Sequence, residues 1–401
     1  MDQIIVETIS TATIAIALFG VVLCLMQTEY VRVSRSLASF LAAVTVSNLP
    51  DAISRFRGAS ENILSLSADL IIWFPSLLFL APLFWIYVVT LTSTAQRRPS
   101  HLYRHFLLPA LAALIGLIIT LSPQNIETAL LFDGTLPTSG WPLALVTLVV
   151  LLQIALYPQM AIYVVLTVRR MMRYRLMLRD FYASTEEHEL RWIVVIGGLA
   201  ALYWLARALF FFVVADSGMI GVATALLTLT GLSSLAFVAT LTLWGLRQRP
   251  PLVPDIEDKK PLVAANDQPA EKYEKSALSS EASTRIAKKL RAAMEQDNLH
   301  RDPNLSLWAL ARHIGASPNY ISQTLNEVIG ESFFDFVNRY RIVEAEKLLS
   351  TTDATVLTIT YDVGFNARSS FYNAFKRVTG QTPTDYRKKM SLRDGMDDMT
   401  G

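Results

Sequence analysis

Residues 305–330 read LSLWALARHIGASPNYISQTLNEVIG, and residues 356–380 read VLTITYDVGFNARSSFYNAFKRVTG. In the first stretch Leu307, Leu310, Ala311 and Ile314 recur at intervals that line one face of a helix. Gly315 and Ala316 form a turn, Ser317 is a good N-cap, and Pro318 suits the first helical position, where its missing N–H costs nothing. The following helix is predicted to bury Ile321, Leu325 and Val328 and to leave Asn319, Ser322, Gln323 and Asn326 facing outward. The second stretch repeats the design. Val356, Ile359 and Thr360 face inward, and Gly364 and Phe365 turn the chain. Phe371, Phe375 and Val378 then form the buried side of a helix whose outer face carries Arg368, Ser369, Tyr372, Asn373 and Lys376. A short helix, a glycine turn and a second helix with a polar outer face is the helix-turn-helix pattern.

Between the two units lies SFFDFVNRYRIVEAEKLLS, whose Phe333, Phe336, Val337, Tyr340, Val343, Ala345 and Leu348 predict one long connecting helix. Upstream, Ile286, Leu290 and Met294 form the stripe of a further helix. Before that, RQRPPLVPDIEDKKPLVAANDQPAEKYEKS holds five prolines and no hydrophobic period, which predicts an extended tether.

Composition changes sharply near residue 250. Residues 1–250 contain no lysine, and their sixteen basic residues are all arginine. Every lysine, from Lys259 on, lies beyond, whereas six of the seven tryptophans lie before. Two such halves face different solvents. The N-terminal half holds seven apolar stretches, near 4–26, 36–53, 66–92, 105–121, 143–168, 192–214 and 219–246, each close to the roughly 20 residues that cross a bilayer core. The second and fourth are short or interrupted by Ser47, Asn48 and Pro50, which leaves five or six spans as an alternative. Thirteen arginines follow the first, third, fifth and seventh stretches, against two, Arg55 and Arg57, on the opposite side. Basic residues are retained on the cytoplasmic side, so the N-terminus is expected outside and the C-terminus in the cytoplasm.

The C-terminal third resembles the AraC/XylS family of bacterial regulators. The resemblance rests on SPNYIS, on the connector residues Phe336, Arg341, Ala345, Leu348 and Leu349, on Val363-Gly364-Phe365, and on the closing SSFYNAFKRVTGQTPTDYR. Thr360 stands where the family usually has alanine, and Asn326 where lysine is common. The resemblance implies an all-α domain of two helix-turn-helix units joined by a connector helix. It places base contacts at Asn319, Ser322 and Gln323 in the first unit and at Arg368, Ser369, Tyr372 and Asn373 in the second. Arginine with guanine and asparagine or glutamine with adenine are the natural pairings. Lys376, Arg377, Arg387, Lys388 and Lys389 are assigned to phosphate, setting affinity more than specificity. With 15 basic and 12 acidic residues over 276–390, binding should be salt-sensitive without being indiscriminate.

The reading as a whole is all-α: a polytopic membrane bundle over 1–246, a flexible cytoplasmic linker over 247–283, an AraC-type DNA-binding domain over 284–390 and a disordered tail over 391–401. Implied partners are double-stranded promoter DNA, the lipid bilayer, RNA polymerase in the case of an activator, a second copy of the chain and a small-molecule signal. No cofactor, metal or catalytic site is expected: HExxH, Walker and GxSxG patterns are absent, and His101 and His105, four apart beside Arg104, read as interface residues. The competing function is a membrane receptor or transporter whose helical tail binds a protein. Small-xxx-small spacings at Gly197/Ala201 and Gly221/Ala225 are candidates for close helix packing. A candidate sensor site consists of Arg207 paired with Asp69, or with Glu7 as second choice, beside Tyr203, Trp204 and Trp73. A charge at that depth demands a partner.

Overall fold

A helix satisfies its backbone hydrogen bonds internally, and among the described residues the N-terminal half of the chain uses that solution seven times. The computed structural model describes residues 2–57, 69–93, 102–121, 140–186, 189–190, 192–210, 220–247, 252 and 280–397. Helices α1 (Asp2–Met26) and α2 (Val31–Arg57) are followed by α3 (Phe74–Leu91), entered through a π turn at Asp69–Trp73. Then come α4 (Leu107–Thr120), entered through a 3-10 turn at Leu102–Phe106, α5 (Gly140–Leu178), α6 (Trp192–Leu209) and α7 (Ile220–Arg247). All seven are long and apolar enough to cross a membrane, the second and fourth included.

The polar residues that interrupt the apolar stretches are absorbed locally. Ser47 Oγ donates to the Val44 carbonyl at 2.9 Å, and Asn48 Nδ2 donates to the same oxygen at 2.8 Å. Thr13 and Thr92 likewise donate to the carbonyls four residues back. A hydroxyl that bonds its own helix needs no outside partner. Arg170 on α5 donates from Nη2 to the Thr92 carbonyl at 2.6 Å and from Nε to Thr92 Oγ1 at 2.7 Å, so a cation closes the C-terminal end of α3.

Close approach within this unit depends on glycines other than those the spacing suggested. A Cβ on Gly245 would lie 2.9 Å from Leu37 Cδ2 and 3.1 Å from the Tyr87 hydroxyl. One on Gly20 would lie 2.7 Å from Leu41 Cδ1. By contrast, Gly197 has open space around it, and the side-chain surroundings of Gly221 lie outside the described residues. Spacing along one helix cannot reveal which face meets a neighbour. Beside these contacts, Phe40, Phe84 and Phe237 meet pairwise at 5.6–5.9 Å and tie α2, α3 and α7 together.

The chain divides into two compact units, Met1–Met171 with Leu190–Pro251, and Met172–Glu189 with Leu252–Gly401. The membrane domain expected over 1–246 therefore gives up an internal piece to the C-terminal unit. That unit comprises α8 (Ser280–Glu295), a 3-10 turn (Leu299–Arg301), α9 (Leu307–Ile314), α10 (Pro318–Thr324) with a π turn (Leu325–Ile329), α11 (Phe333–Thr351), α12 (Val356–Asp362), α13 (Arg368–Thr379) and α14 (Pro383–Asp397). Helix α8 starts inside the segment expected as linker, and α14 runs into the expected tail, to Asp397. Apart from Leu252, residues 248–279 of the expected tether lie outside the described residues.

Two cores hold the C-terminal unit. The first joins Leu290, Met294, Leu307, Leu310, Ile321, Leu325, Phe333 and Phe336; the second joins Ile342, Ala345, Leu349, Ile359, Phe365, Phe371 and Phe375. Helix α11 serves both, its first half buried in one and its second half in the other. Val328, Val378 and Val343, expected inside, are about half exposed (49%, 49% and 56%). Each lies at the edge of a helix face whose centre is filled by larger aromatic or branched side chains.

Because membrane helices gain little from apolar burial against each other, packing contacts decide their association. Gly245→Leu is expected to cost about 1–3 kcal/mol by overpacking. Gly197→Leu should be neutral, with both read as the thermal midpoint of the detergent-solubilised full chain.

Candidate nucleic-acid interface

Side-chain caps start α9, α10, α11 and α12, whereas α13 begins after Ala367 with no side-chain cap. Ser306 Oγ accepts from Ala309 N at 3.1 Å, Ser317 Oγ from Tyr320 N at 3.2 Å, Ser332 Oγ from Asp335 N at 3.2 Å and Thr355 Oγ1 from Thr358 N at 3.1 Å. The Ser317–Pro318 start of α10 is the one expected from sequence. Thr360 is fully buried in α12, and its hydroxyl donates to the Val356 carbonyl at 2.8 Å, so the departure from alanine leaves no unpaired polar atom there. Gly364 turns the second unit at φ +96°, and a Cβ there would lie 2.6 Å from the His300 carbonyl oxygen and 2.8 Å from that of Arg301. Both the left-handed backbone and the tight approach therefore require glycine.

On α10, Asn319 is exposed and Ser322 and Gln323 are half-buried. Gln323 Nε2 donates to Glu327 Oε2 at 2.9 Å. On α13, Arg368, Ser369, Asn373 and Lys376 are exposed and Tyr372 is half-buried. Arg368 lies over the Tyr372 ring at 4.9 Å, and its Nη2 donates to the Tyr372 hydroxyl at 3.2 Å. The hydroxyl also sits 3.3 Å from Thr384 Oγ1, and this contact, with help from Arg368, draws the phenol below its ordinary value. The arginine is thus held over the Tyr372 ring while its residue stays exposed.

Of the residues assigned to phosphate, Lys376, Arg377, Lys388 and Lys389 are exposed. Arg377 also pairs with Asp335 on α11 at 2.9 Å and lies over the Phe334 ring at 5.6 Å. Arg387 donates from Nη2 to the Ala354 carbonyl at 2.7 Å.

Arg341, one of the connector residues in the AraC/XylS resemblance, has a structural task that helix periodicity does not reveal. It is fully buried. Its Nε donates to the His300 carbonyl at 2.6 Å, Nη2 to the Asp302 carbonyl at 2.7 Å, and Nη1 to Ser184 Oγ at 3.1 Å. Its guanidinium also lies 5.3 Å from the Phe365 ring centre of the second unit. Burial pulls its pKa down to about 10, opposed by Asp302 and Glu186, so it stays a cation. Beside it, Glu344 receives Arg301 through Nε at 3.1 Å and a second, shorter bond through Nη2, and lies 2.7 Å from His300 Nε2. Their signal in sequence was slight: one arginine amid an apolar helix face.

A family model described as a helix-turn-helix domain matches residues 310–389. Those residues are an AraC-type helix-turn-helix domain. The AraC-type domain is 38% identical over 89 residues to an uncharacterised HTH-type transcriptional regulator of Staphylococcus aureus strain COL, a match covering 22% of this chain and 12% of that protein. It is 31% identical over 103 residues to the regulatory protein PocR of Salmonella typhimurium, covering 26% of this chain and 34% of that one. The chain thus spans well under half the length of these curated relatives. Among solved structures, the C-terminal domain of AraT, a response regulator from Geobacillus stearothermophilus, matches at 26% identity over 28% of this chain and 88% of that one, with a TM-score of 0.24.

The candidate sensor residues of the N-terminal unit are placed only in part. Arg207 is half-buried, and the carboxylate that shares the electrostatic surroundings of Tyr203 with it is Asp51. The Asp69 side chain lies outside the described residues, and Glu7 has interactions of its own. Trp73 and Trp204 do pack on one cluster with Phe74, Leu77 and Ile115. His105 Nδ1 lies 2.7 Å from the Tyr163 hydroxyl and its ring 4.6 Å from that of Trp85; His101 lies outside the described residues.

Burial by itself would raise the pKa of Glu344, but the bonds from Arg301 and His300 outweigh it and hold the group below its ordinary 4.5. A carboxylate depressed in the folded state contributes stability above the ordinary value and loses it as pH falls through the lower one. Protection of amides in α11 of the wild type, taken relative to intrinsic exchange at each pH, should therefore fall below about pH 4.5. In Glu344→Gln that acid step should shrink, with exchange at neutral pH already faster than in the wild type.

Proposed function

We propose that the chain is a membrane-anchored, sequence-specific DNA-binding transcriptional regulator. The observation that carries this reading is the pair of helices α10 and α13, each with a polar outer face, held by one connector helix through Arg341 and Gly364. Two recognition helices on a rigid frame suit successive major-groove segments about 34 Å apart on one side of a duplex. Arg368, presented on Tyr372, is the strongest candidate for a base contact, with Asn373 and Ser369 beside it. Asn319, Ser322 and Gln323 read the neighbouring segment. Lys376, Lys388 and Lys389 meet phosphate, whereas Arg377 and Arg387 act on DNA mainly through their field, since their guanidinium groups already have partners.

Membrane anchorage is supported by the seven apolar helices and by α5 in particular. Its 39 residues extend about 58 Å at 1.5 Å per residue, roughly twice the 30 Å of a bilayer core. Its last turns carry Arg169, Arg170, Arg173 and Arg175, as expected of a helix emerging into the cytoplasm. The outer-leaflet region around Arg207 and Tyr203 is the proposed place for a signal to act, with Asp69 or Glu7 as the carboxylate partner of Arg207 and Asp51 as a further candidate.

Two measurements test this. Reporter fusions at Gly401, Arg98 and Arg175 should read cytoplasmic and one near Asp133 exported; an exported Gly401 would end the regulator reading. Full-length protein in nanodiscs should enrich a defined duplex from a random library. Against that duplex, Arg368→Ala should cost about 1–3 kcal/mol and relax preference at one base position, while Lys388→Ala weakens all sequences alike. Enrichment of no sequence over random DNA would refute specific recognition.

A further inference from the structure

The short segment Arg179–Glu186 lies in the chain between α5 and α6, yet it is built into the helix-turn-helix unit. It follows α5 without a break: Phe181 N and Tyr182 N both donate back to the Leu178 carbonyl, at 3.1 and 2.9 Å. From there it runs along the start of α9 as an added edge. Leu307 N donates to the Phe181 carbonyl at 2.8 Å, Ala183 N donates to the Leu305 carbonyl at 3.1 Å, and Tyr182 and Ser306 form an antiparallel bridge. The Phe181 ring stacks on Trp308 at 5.1 Å and 15°, and Tyr182 meets the same indole edge-on at 5.7 Å. Ala183 is 1% exposed and belongs to the first core. At α11, Phe334 N donates to the Arg179 carbonyl at 2.9 Å, and the Arg179 guanidinium bonds Asp335 at 3.0 Å.

Two of these contacts reach the joint between the helix-turn-helix units. Asp335 is shared by Arg179 of the segment and Arg377 of recognition helix α13. Arg341 is shared by the segment, through Ser184 Oγ and the Ala183 carbonyl at 3.4 Å, by the first unit through two carbonyls, and by the second through Phe365. Withdrawing the segment would strip a buried cation of acceptors and Asp335 of one of its two cations. Meanwhile Asn319, Arg368, Ser369 and Asn373 stay exposed with the segment in place.

We propose that the segment Arg179–Glu186 is an internal ligand of the helix-turn-helix unit whose docking fixes the setting of α10 against α13, so that the docked state is the one competent for two-site DNA recognition. A movement of α5 or α6 that draws the segment off its seat loosens the joint and weakens binding to a paired site, while contacts to a single half remain. This rests on the DNA-binding reading above, and it adds how the membrane helices control it.

A redox-controlled clamp tests it in the full chain. With Cys24→Ser as background, Tyr182→Cys with Ser306→Cys places two thiols across the antiparallel bridge, so oxidation locks docking and reduction frees it in one and the same protein. In nanodiscs, the duplex enriched by the wild type from a random library should bind the oxidised form about tenfold or more tightly than the reduced form, with its separated halves bound alike by both. Arg179→Ala with Phe181→Ala, which leaves α8–α14 untouched, should lose binding to the paired duplex by a similar factor. Amide exchange supplies a readout that needs no DNA: oxidation should slow exchange at Asp362–Ala367, the turn of the second unit. Equal exchange there in both redox states overturns the proposal, whether or not DNA binds. Weaker DNA binding on oxidation also overturns it, since docking would then inhibit. Slowed exchange with no duplex enriched would uphold the mechanical coupling and sink the DNA reading on its own.

Discussion

A guanidinium sealed from water forfeits its hydration and must recover it from fixed oxygens, and Arg341 does so from three directions at once. Its partners are the His300 and Asp302 carbonyls of the first helix-turn-helix unit, and Ala183 and Ser184 of the segment after α5, while its face lies against Phe365 of the second unit. Asp302 and Glu186 act at longer range to keep it charged. No one of these groups alone offsets burying the cation. The three stretches of chain must converge for the arginine to be tolerated, and its presence in turn specifies that they converge in one way.

The rest of the C-terminal unit is arranged around that point. Helix α11 carries Arg341 near its middle, with Phe333, Phe336 and Val337 committed to one core and Ile342, Ala345 and Leu349 to the other. The turn of the second unit closes onto the same His300 and Arg301 backbone through Gly364, where no side chain fits. Glu344, one turn along from Arg341, holds His300 and Arg301 from the other side. The setting of one recognition helix relative to the other is therefore fixed by polar contacts at a joint, while two separate apolar cores hold each unit together.

The N-terminal unit solves its polar problem by the opposite means. Many of its hydroxyls and amides bond within their own helices, as at Thr13, Ser47 and Asn48. A few polar groups reach a neighbouring helix: Gln159 and Arg170 tie α5 to α3, and Ser36 meets Thr90 between α2 and α3. Helices that need little from one another in hydrogen bonding are held by shape, through Gly20 and Gly245 and the Phe40, Phe84 and Phe237 contacts.

Element type and order were legible in the sequence because each depends on neighbours a few residues away. Apolar length marked the seven described helices long and apolar enough to cross a membrane. The spacing of Leu307, Leu310 and Ile314 and of Phe371 and Phe375, with Ser317 and Gly364 between them, marked the two helix-turn-helix units. The outward-facing residues of α10 and α13 followed from the same periodicity. What periodicity could not reach was any contact made across distance. Val328, Val343 and Val378 sit at face edges whose burial depends on what packs opposite. Arg377 and Arg387 read as free cations until Asp335 and Ala354 are brought beside them. Gly197 has the spacing of a packing residue, yet the close approaches fall at Gly20 and Gly245. The segment after α5 reads as an ordinary arginine-flanked loop, because its partners, Leu305, Leu307, Trp308 and Arg341, lie more than a hundred residues away. Local sequence sets which backbone conformations are favourable; only the folded chain decides which polar groups must find each other once water is gone.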